Sequence, residues 1–172
     1  DAGYLTIGPK VSDNAITYAP VEKLEDFPRG YIDEHECGLY STKPGQHQQY
    51  FDFTPGPDSL KKFIFPPRST LFAAHSENGR WASSTTQGEF PRYAFIGMRP
   101  CELAAIKIQD EWFPRGDDVD PIYLATLTHI LTIVVNCLQP NRTCFCTSMK
   151  TGPMAMDGFD LGIVELDDLF LF

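Results

Sequence analysis

The pattern of apolar and polar positions divides the chain near residue 92. Beyond that point, short apolar runs alternate with segments in which apolar residues recur at helical spacing. The predicted strands are 92–97, 130–136 and 159–168, and the predicted helices are 101–113 and 121–129. The run ILTIVVN at 130–136 is rich in β-branched residues, which is typical of a strand buried on both faces of a parallel sheet.

Prolines mark the start of both predicted helices. Pro100 and Pro121 each stand where the first turn of a helix tolerates proline, since that turn leaves its amide donors unpaired anyway. Within the first helix, Leu103 and Ile106 fall on one side, together with the aliphatic stem of Lys107. That side is expected to face the core.

The first half of the chain is rich in turns and favours β structure. Segments 4–11 and 15–21 flank Ser12-Asp13-Asn14 and predict a hairpin, and 38–43 is a further candidate strand. Residues 69–84 predict two strands around Asn78-Gly79, a strong hairpin signal. Asp58 is predicted to cap a short helix over 59–65, which Pro66-Pro67 then ends.

These elements predict an α/β fold. The N-terminal half is β-rich, and the alternating strands and helices after it form a mixed, partly parallel sheet. With 172 residues, 42% of them apolar, the chain is long enough for one domain and short for two. We therefore expect residues 1–172 to form a single domain. The apolar end ELDDLFLF suggests an excised N-terminal part of a longer iron–sulfur subunit.

Charge and hydropathy exclude two classes of partner. A formal net charge of −9 provides no broad positive surface for a phosphate backbone or an anionic membrane. The longest apolar stretches run to about half a dozen residues, well short of the roughly 20 that cross a bilayer. We expect neither a nucleic-acid partner nor a membrane span.

Four of the five cysteines are expected to meet. Cys101 and Cys137 follow the ends of the predicted strands 93–97 and 131–135, and Cys144 and Cys146 continue the second loop. The carboxyl ends of parallel neighbours lie at one edge of a sheet, where open α/β folds bind ligands. The four thiols therefore converge on one site if the two strands pair. Cys37 stands apart and is expected to be structural or exposed.

A set of four thiolates suits iron–sulfur or zinc chemistry. Structural zinc sites favour paired Cys-x₂₋₄-Cys spacings, whereas Cys137, Cys144 and Cys146 are irregularly spaced with a remote fourth ligand, which favours a cuboidal iron–sulfur cluster over zinc. A redox pair of thiols and plain structural cysteines stay open as alternatives. The four histidines are scattered and are expected to be ordinary surface or core residues.

The residues beside Cys101 suggest how such a site would be tuned. Cys101 lies in the first turn of its helix, where amide donors and the positive end of the dipole are expected to lower its pKa. Arg99 is a candidate cofactor-binding residue, because its charge would offset that of a cluster; alternatively it pairs with Glu102. No residue is assigned a catalytic role.

Several unusual motifs occur in an order that resembles one family. They are KKFIFPPR, GMRPCELAAIKIQD, DPIYLA, VVNCLQPNRTCFCTSMKTGP and GFDLGIVEL. Together they closely resemble the N-terminal domain of the beta subunit of soluble NiFe hydrogenases (sulfhydrogenases, or sulfur reductases). That family is similar also to one of the subunits of anaerobic sulfite reductase. The likeness extends from about residue 3 to the end. One departure is Lys150, where the family pattern has glycine.

The resemblance implies a role in electron transfer rather than catalysis. It implies a cytoplasmic subunit of a multi-subunit oxidoreductase, working beside a hydrogenase-type subunit and a flavin-containing partner that oxidises nicotinamide. In that family a ferredoxin-like module with two 4Fe–4S clusters follows this domain and is absent from the sequence here. The alternative is a docking scaffold for that module and the flavin subunit, with structural cysteines.

Overall fold

The computed structural model describes residues 3–85, 91–114, 119–167 and 169–172. These residues form one six-stranded sheet, two separate two-stranded hairpins, four α-helices and a short 3₁₀ helix at Leu24–Asp26. The strands are β1 (Tyr4–Ser12), β2 (Ala15–Pro20), β3 (Tyr31–Glu36), β4 (Leu39–Pro44), β5 (Phe72–Glu77), β6 (Arg80–Thr85), β7 (Arg92–Met98), β8 (Ile130–Val135), β9 (Leu161–Glu165) and β10 (Phe170–Leu171). The helices are α1 (Lys61–Ile64), α2 (Pro100–Trp112), α3 (Pro121–Leu127) and α4 (Cys146–Met149).

The six-stranded sheet is mixed, in the order β10-β9-β8-β7-β1-β2. Strands β1, β7, β8 and β9 are mutually parallel, while β2 and β10 pair antiparallel at the two edges. This arrangement confirms the predicted α/β class and the predicted parallel pairing of β7 with β8. The parallel pairing of β1 with β7 was not predicted, because no local feature of the sequence indicates that two strands so far apart along the chain will pair.

Both hairpins predicted from turn residues are confirmed. The turn between β1 and β2 has Asp13 and Asn14 in left-handed conformations, at φ 50° and 59°. The turn between β5 and β6 has Asn78 and Gly79 at φ 51° and 74°. Two consecutive residues with positive φ are what a two-residue hairpin turn requires. Strand β3 was missed, since its sequence YIDEHE is mostly polar.

The core lies between the sheet and the two longer helices. It contains Ile7, Phe95 and Val134 from the parallel strands, Leu103 from α2 and Tyr123 from α3. Ile106 packs against this cluster, as predicted. The ammonium of Lys107 instead pairs with Asp157 at the surface.

The predicted cap of the short helix α1 is wrong. Asp58 accepts hydrogen bonds from the Tyr18 amide at 3.0 Å and from the Lys62 ammonium at 2.6 Å, so it ties β2 to this segment. The residue before α1 is Leu60, which has no side-chain oxygen to offer.

Among the described residues, no helix is long and apolar enough to cross a membrane.

Candidate functional site

The loops after β7 and β8 leave the same edge of the sheet. Cys101 lies in the first turn of α2, three residues beyond the end of β7, and Cys137 lies two residues beyond the end of β8. The amide of Asn136 donates to the Ile163 carbonyl at 2.8 Å, so the backbone is held by β9 up to the residue before Cys137. The parallel pairing thus brings these two loops together, as the sequence predicted.

The segment Thr151-Gly152-Pro153 connects the loop that carries the remaining thiols to Cys137. The Cys137 amide donates to the Pro153 carbonyl at 3.0 Å, and the Thr151 amide donates to the Cys146 carbonyl at 2.9 Å. Cys146 and Cys137 are therefore fixed to one short stretch of backbone.

Gly152 allows close packing at the same point. A β-carbon on this residue would lie 3.1 Å from the Cys146 Sγ and 3.6 Å from the Pro100 β-carbon. The missing side chain lets the Cys146 thiol approach this backbone beside the start of α2. The loop after β8 is thereby packed against the helix turn that carries Cys101.

Three of the predicted cysteine ligands border one cavity of about 310 Å³. These are Cys101, Cys144 and Cys146, and most of the other lining groups are apolar. Cys137 is not part of the lining but is close enough to interact electrostatically with the other three thiols. Cys37 is exposed and lies on the turn between β3 and β4. The structure thus places three of the four grouped cysteines on one cavity and the fourth within electrostatic range of them.

The predicted lowering of the Cys101 pKa is wrong. Burial, the Glu102 carboxylate and the charges of Cys146 and Cys137 raise the pKa of Cys101 to about 11. The favourable effect of the first helical turn is outweighed because the thiol is partly shielded from water and faces groups of negative charge. Without a bound metal, Cys101 is a neutral thiol at pH 7.

The pKa of Cys137 is also raised by burial. The guanidinium of Arg99 acts in the opposite direction, while Cys144 and Cys146 raise the pKa further. The Cys137 thiol donates to the Gln139 carbonyl at 3.5 Å. The Cys144 sulfur, in contrast, accepts the amide of Asn141 at 3.2 Å.

Arg99 is a buried residue that connects several segments, and only 2% of it is exposed. Its Nη2 donates to the carbonyls of Phe53 at 2.6 Å and of Phe51, and its guanidinium carbon lies 5.1 Å from the Phe53 ring centroid. Its Nη1 lies 3.4 Å from the Asn136 carbonyl, next to Cys137. The Glu102 carboxylate accepts the backbone amide of Arg99 at 3.0 Å rather than pairing with the guanidinium.

Glu102 and Tyr18 form a shielded pair beside Cys101. The Tyr18 hydroxyl donates to Glu102 Oε2 at 2.5 Å, and Glu102 Oε1 is buried without a hydrogen-bond partner among the described residues. Burial raises the pKa of Glu102 to about 7, against the lowering effect of Tyr18 and Arg99. Sequence reasoning assigned neither residue to this pair.

His35 and Thr54 also line the cysteine cavity, and the sequence did not indicate them. His35 lies on β3, and its Nδ1 is 3.2 Å from the Thr143 hydroxyl in the cysteine loop. No sequence signal would have found them, because β3 was not recognised and Thr54 belongs to an irregular segment. The other three histidines do not line this cavity.

The described residues show no ready-made site for a single metal ion. In the part of the chain that the structure describes, no three His, Cys, Asp or Glu side chains are arranged to hold one metal ion. A tetrahedral zinc site needs its thiolates almost in contact, since each sulfur lies about 2.3 Å from the metal. A cuboidal cluster places its own iron and sulfide atoms between its ligands and therefore requires more widely spaced thiols than zinc does.

Lys150 adopts a left-handed conformation at the end of α4, with φ 56° and ψ 35°. Its amide lies within hydrogen-bonding reach of the carbonyls of Cys146 and Thr147. Glycine is the residue that usually occupies such a position. The tight turn therefore forms with lysine, at the cost of backbone strain.

Comparison with family models, curated proteins and solved structures gives no match to this chain.

Proposed function

We propose that this chain is an electron-transfer domain of a cytoplasmic multi-subunit oxidoreductase of the hydrogenase or sulfur reductase type, with no catalytic residues of its own. The proposed cofactor is an iron–sulfur cluster of the 4Fe–4S type, ligated by Cys101, Cys137, Cys144 and Cys146. The observation that carries the proposal is the convergence of three of these thiols on one cavity, with the fourth beside them.

The chain's own residues prepare the site for a negatively charged cofactor. Cluster binding requires thiolates, so the raised pKa values of Cys101 and Cys137 mean that loading releases protons and is favoured by higher pH. Arg99 favours the thiolate of Cys137 and supplies a fixed positive charge beside it. A bound cluster would accept and donate single electrons.

Exposed apolar side chains border the site. Phe145 is 71% exposed between the two cysteines of the loop, and Met149 and Ile108 are 58% and 51% exposed on the cavity wall. Surfaces of this kind favour contact with another protein. The proposed partners are a ferredoxin-like module, a hydrogenase-type subunit, and a protein of the same complex that binds flavin and NAD(P).

Iron analysis of the anaerobically reconstituted chain tests the proposal. We expect brown protein with broad absorption near 400 nm and about four iron and four sulfide per chain. Electron paramagnetic resonance after reduction should give the signal of a reduced cluster. Colourless protein after reconstitution would contradict the proposal.

Serine variants test each ligand separately. Cys101→Ser, Cys137→Ser, Cys144→Ser and Cys146→Ser should each lower the iron content well below that of the unmodified chain. Cys37→Ser is the matched control, because Cys37 is exposed and is not among the residues that line the cavity, so the variant should leave the iron content unchanged. Full iron content in any of the first four variants would remove that residue from the ligand set.

The second candidate function is a docking scaffold for the ferredoxin module and the flavin subunit. It is favoured by the raised pKa values of Cys101 and Cys137, which describe neutral, partly buried thiols of an ordinary structural kind. The two functions separate in one measurement, since a scaffold binds partner subunits without iron. Undiminished partner binding by a fourfold serine variant would favour the scaffold.

A further inference from the structure

A second cavity, of about 370 Å³, lies next to the cysteine cavity, and most of the residues that line it are polar. Thr54 lines both cavities, so they share part of a wall. The second cavity contains the carboxylates of Asp33 and Asp52 and the imidazole of His47, with no lysine or arginine among its described lining residues. Its lining is therefore complementary to a cation.

Asp52 is the feature that points to a ligand. Only 9% of the residue is exposed, and it borders this cavity. No donor among the described residues makes a hydrogen bond or an ion pair with its carboxylate. The residue as a whole is buried, but its carboxylate oxygens reach the open space of the cavity, so their acceptor positions are available to a ligand that enters.

Asp33 provides a contrast. Its carboxylate accepts the Thr54 amide at 2.7 Å, the Thr54 hydroxyl at 2.6 Å and the Asn141 side-chain amide at 2.7 Å. It is therefore held in place by the protein itself. Asp33 contributes a second negative charge to the wall, while Asp52 keeps its acceptor positions for a ligand.

The guanidinium of Arg99 does not satisfy Asp52. Its Nη2 donates to the carbonyls of Phe51 and Phe53, on either side of Asp52 along the chain, and its Nη1 faces the carbonyls of Val135 and Asn136. The Nη1 and Nη2 donors of Arg99 are thus directed at backbone oxygens, while its Nε has no partner among the described residues.

Size and donor type narrow the ligand class. The described residues include no group arranged to hold a metal ion, and the volume falls in the range of small-molecule sites. A planar guanidinium presents paired donors that match the two oxygens of a carboxylate. We propose that this cavity binds a guanidinium group, with Asp52 as the paired acceptor and Asp33 as the second negative charge.

The cavity adjoins the cysteine loop without depending on a cofactor. Asn141 lines the cavity and donates its backbone amide to the Cys144 sulfur at 3.2 Å. Guanidinium binding is therefore expected in metal-free protein, and its test is independent of the iron analysis.

Titration of the isotope-labelled chain with L-arginine tests the proposal by nuclear magnetic resonance. The side-chain amide signals of Asn141 and Gln139, which line the cavity, should shift and saturate. L-Citrulline, which has the same shape without the charge, should shift them far less at equal concentration. Equal saturation by citrulline, or no shift at Asn141 with arginine, would overturn the proposal.

Variants tie the binding to Asp52. Asp52→Asn should weaken arginine binding by about tenfold or more, since a charged pair is replaced by a neutral one. Asp157→Asn is the matched control, because Asp157 is 82% exposed beside Lys107, outside the cavity lining, and should leave the affinity unchanged. Unchanged affinity in a folded Asp52→Asn protein would refute the assignment.

A second variant keeps the test decisive if Asp52→Asn does not fold. Gln46 lines the cavity and is exposed, so Gln46→Lys should fold normally. It places a positive charge beside the ligand and should weaken arginine binding severalfold by repulsion. Unweakened binding by this variant would also count against the proposal.

Two sources of a guanidinium are separated by a third probe. N-acetyl-arginine N-methylamide mimics an arginine within a polypeptide and lacks the charges of the free amino acid. Binding of both probes supports the proposal with an arginine of a partner protein as the source. Binding of free arginine alone supports it with a small metabolite as the source.

Discussion

Replacing Arg99 with methionine removes the guanidinium that joins three segments at the candidate site. Nη2 of Arg99 donates to the carbonyls of Phe51 and Phe53, and Nη1 faces the carbonyl of Asn136, all in a region closed to solvent. Methionine has a similar length and no donor. The variant leaves these carbonyls without the donor they now have.

The magnitude follows from the two shorter bonds. A hydrogen bond from a charged donor contributes about 1.5–3 kcal/mol, so two of them represent about 3–6 kcal/mol. The contacts of Nη1 at 3.4 and 3.5 Å are long and add little. The variant also removes a buried charge and an unpartnered Nε, and the desolvation cost saved in this way offsets part of the lost stability. We expect Arg99→Met to lower the free energy of unfolding by about 3 kcal/mol.

Urea unfolding followed by circular dichroism measures this loss, and thermal unfolding should show a midpoint about 6–12 °C lower. Arg99→Lys should lose less than Arg99→Met because it keeps the charge, although one ammonium cannot replace the guanidinium fork. Arg68→Met is the control, since Arg68 is exposed and its loss should change stability by less than about 0.5 kcal/mol. A loss below about 1 kcal/mol in Arg99→Met would refute the assignment of Arg99 as a structural clamp.

Three further outcomes are expected. Lys150→Gly should raise the free energy of unfolding by about 1 kcal/mol in urea, because the left-handed φ of 56° strains any residue with a β-carbon; Lys150→Ala should give no such gain. Gly97→Ala should lower the free energy of unfolding by about 2–4 kcal/mol, since its β-carbon would lie 2.5 Å from the Phe51 ring at a φ of +85°. Gly38→Ala is the control: Gly38 has a φ of +76° with open space around it, so the loss in the same assay should be only about 1–2 kcal/mol. In metal-free protein, Glu102 should make the free energy of unfolding fall by up to about 3 kcal/mol as pH rises from about 4.5 towards 7. The reason is that its pKa is raised to about 7 in the fold, so the carboxyl of the unfolded chain ionises first. Glu102→Gln should flatten this pH dependence, and an unchanged pH dependence in the variant would show that other groups cause it.

Local sequence signals predicted most of the secondary structure. Asn78-Gly79 and Asp13-Asn14 placed two hairpins, and the prolines that open α2 and α3 placed both helix starts. These signals succeed because each depends on the backbone preference of one or two residues. Strand β3 was missed because its mostly polar sequence lacks the pattern of a buried strand.

The candidate site was predicted in outline but not in its electrostatics. Grouping the cysteines required only that β7 and β8 be parallel neighbours, which the buried character of β8 indicated. The pKa of Cys101 depended on burial and on Glu102, and the sequence could not show how strongly these oppose the helix terminus. The same limit hid the unpartnered carboxylate of Asp52.

The sequence by itself determined where most strands, two hairpin turns and the two longer helices begin, and hence which edge of the sheet carries the thiols. Only the tertiary structure decided that β1 joins β7, that Arg99 donates to backbone carbonyls, and that His35 and Thr54 face the cysteines. The physical reason is the distance along the chain over which each effect acts. Backbone preferences act within a few residues, whereas burial and charge at a site depend on segments that meet only when the chain folds.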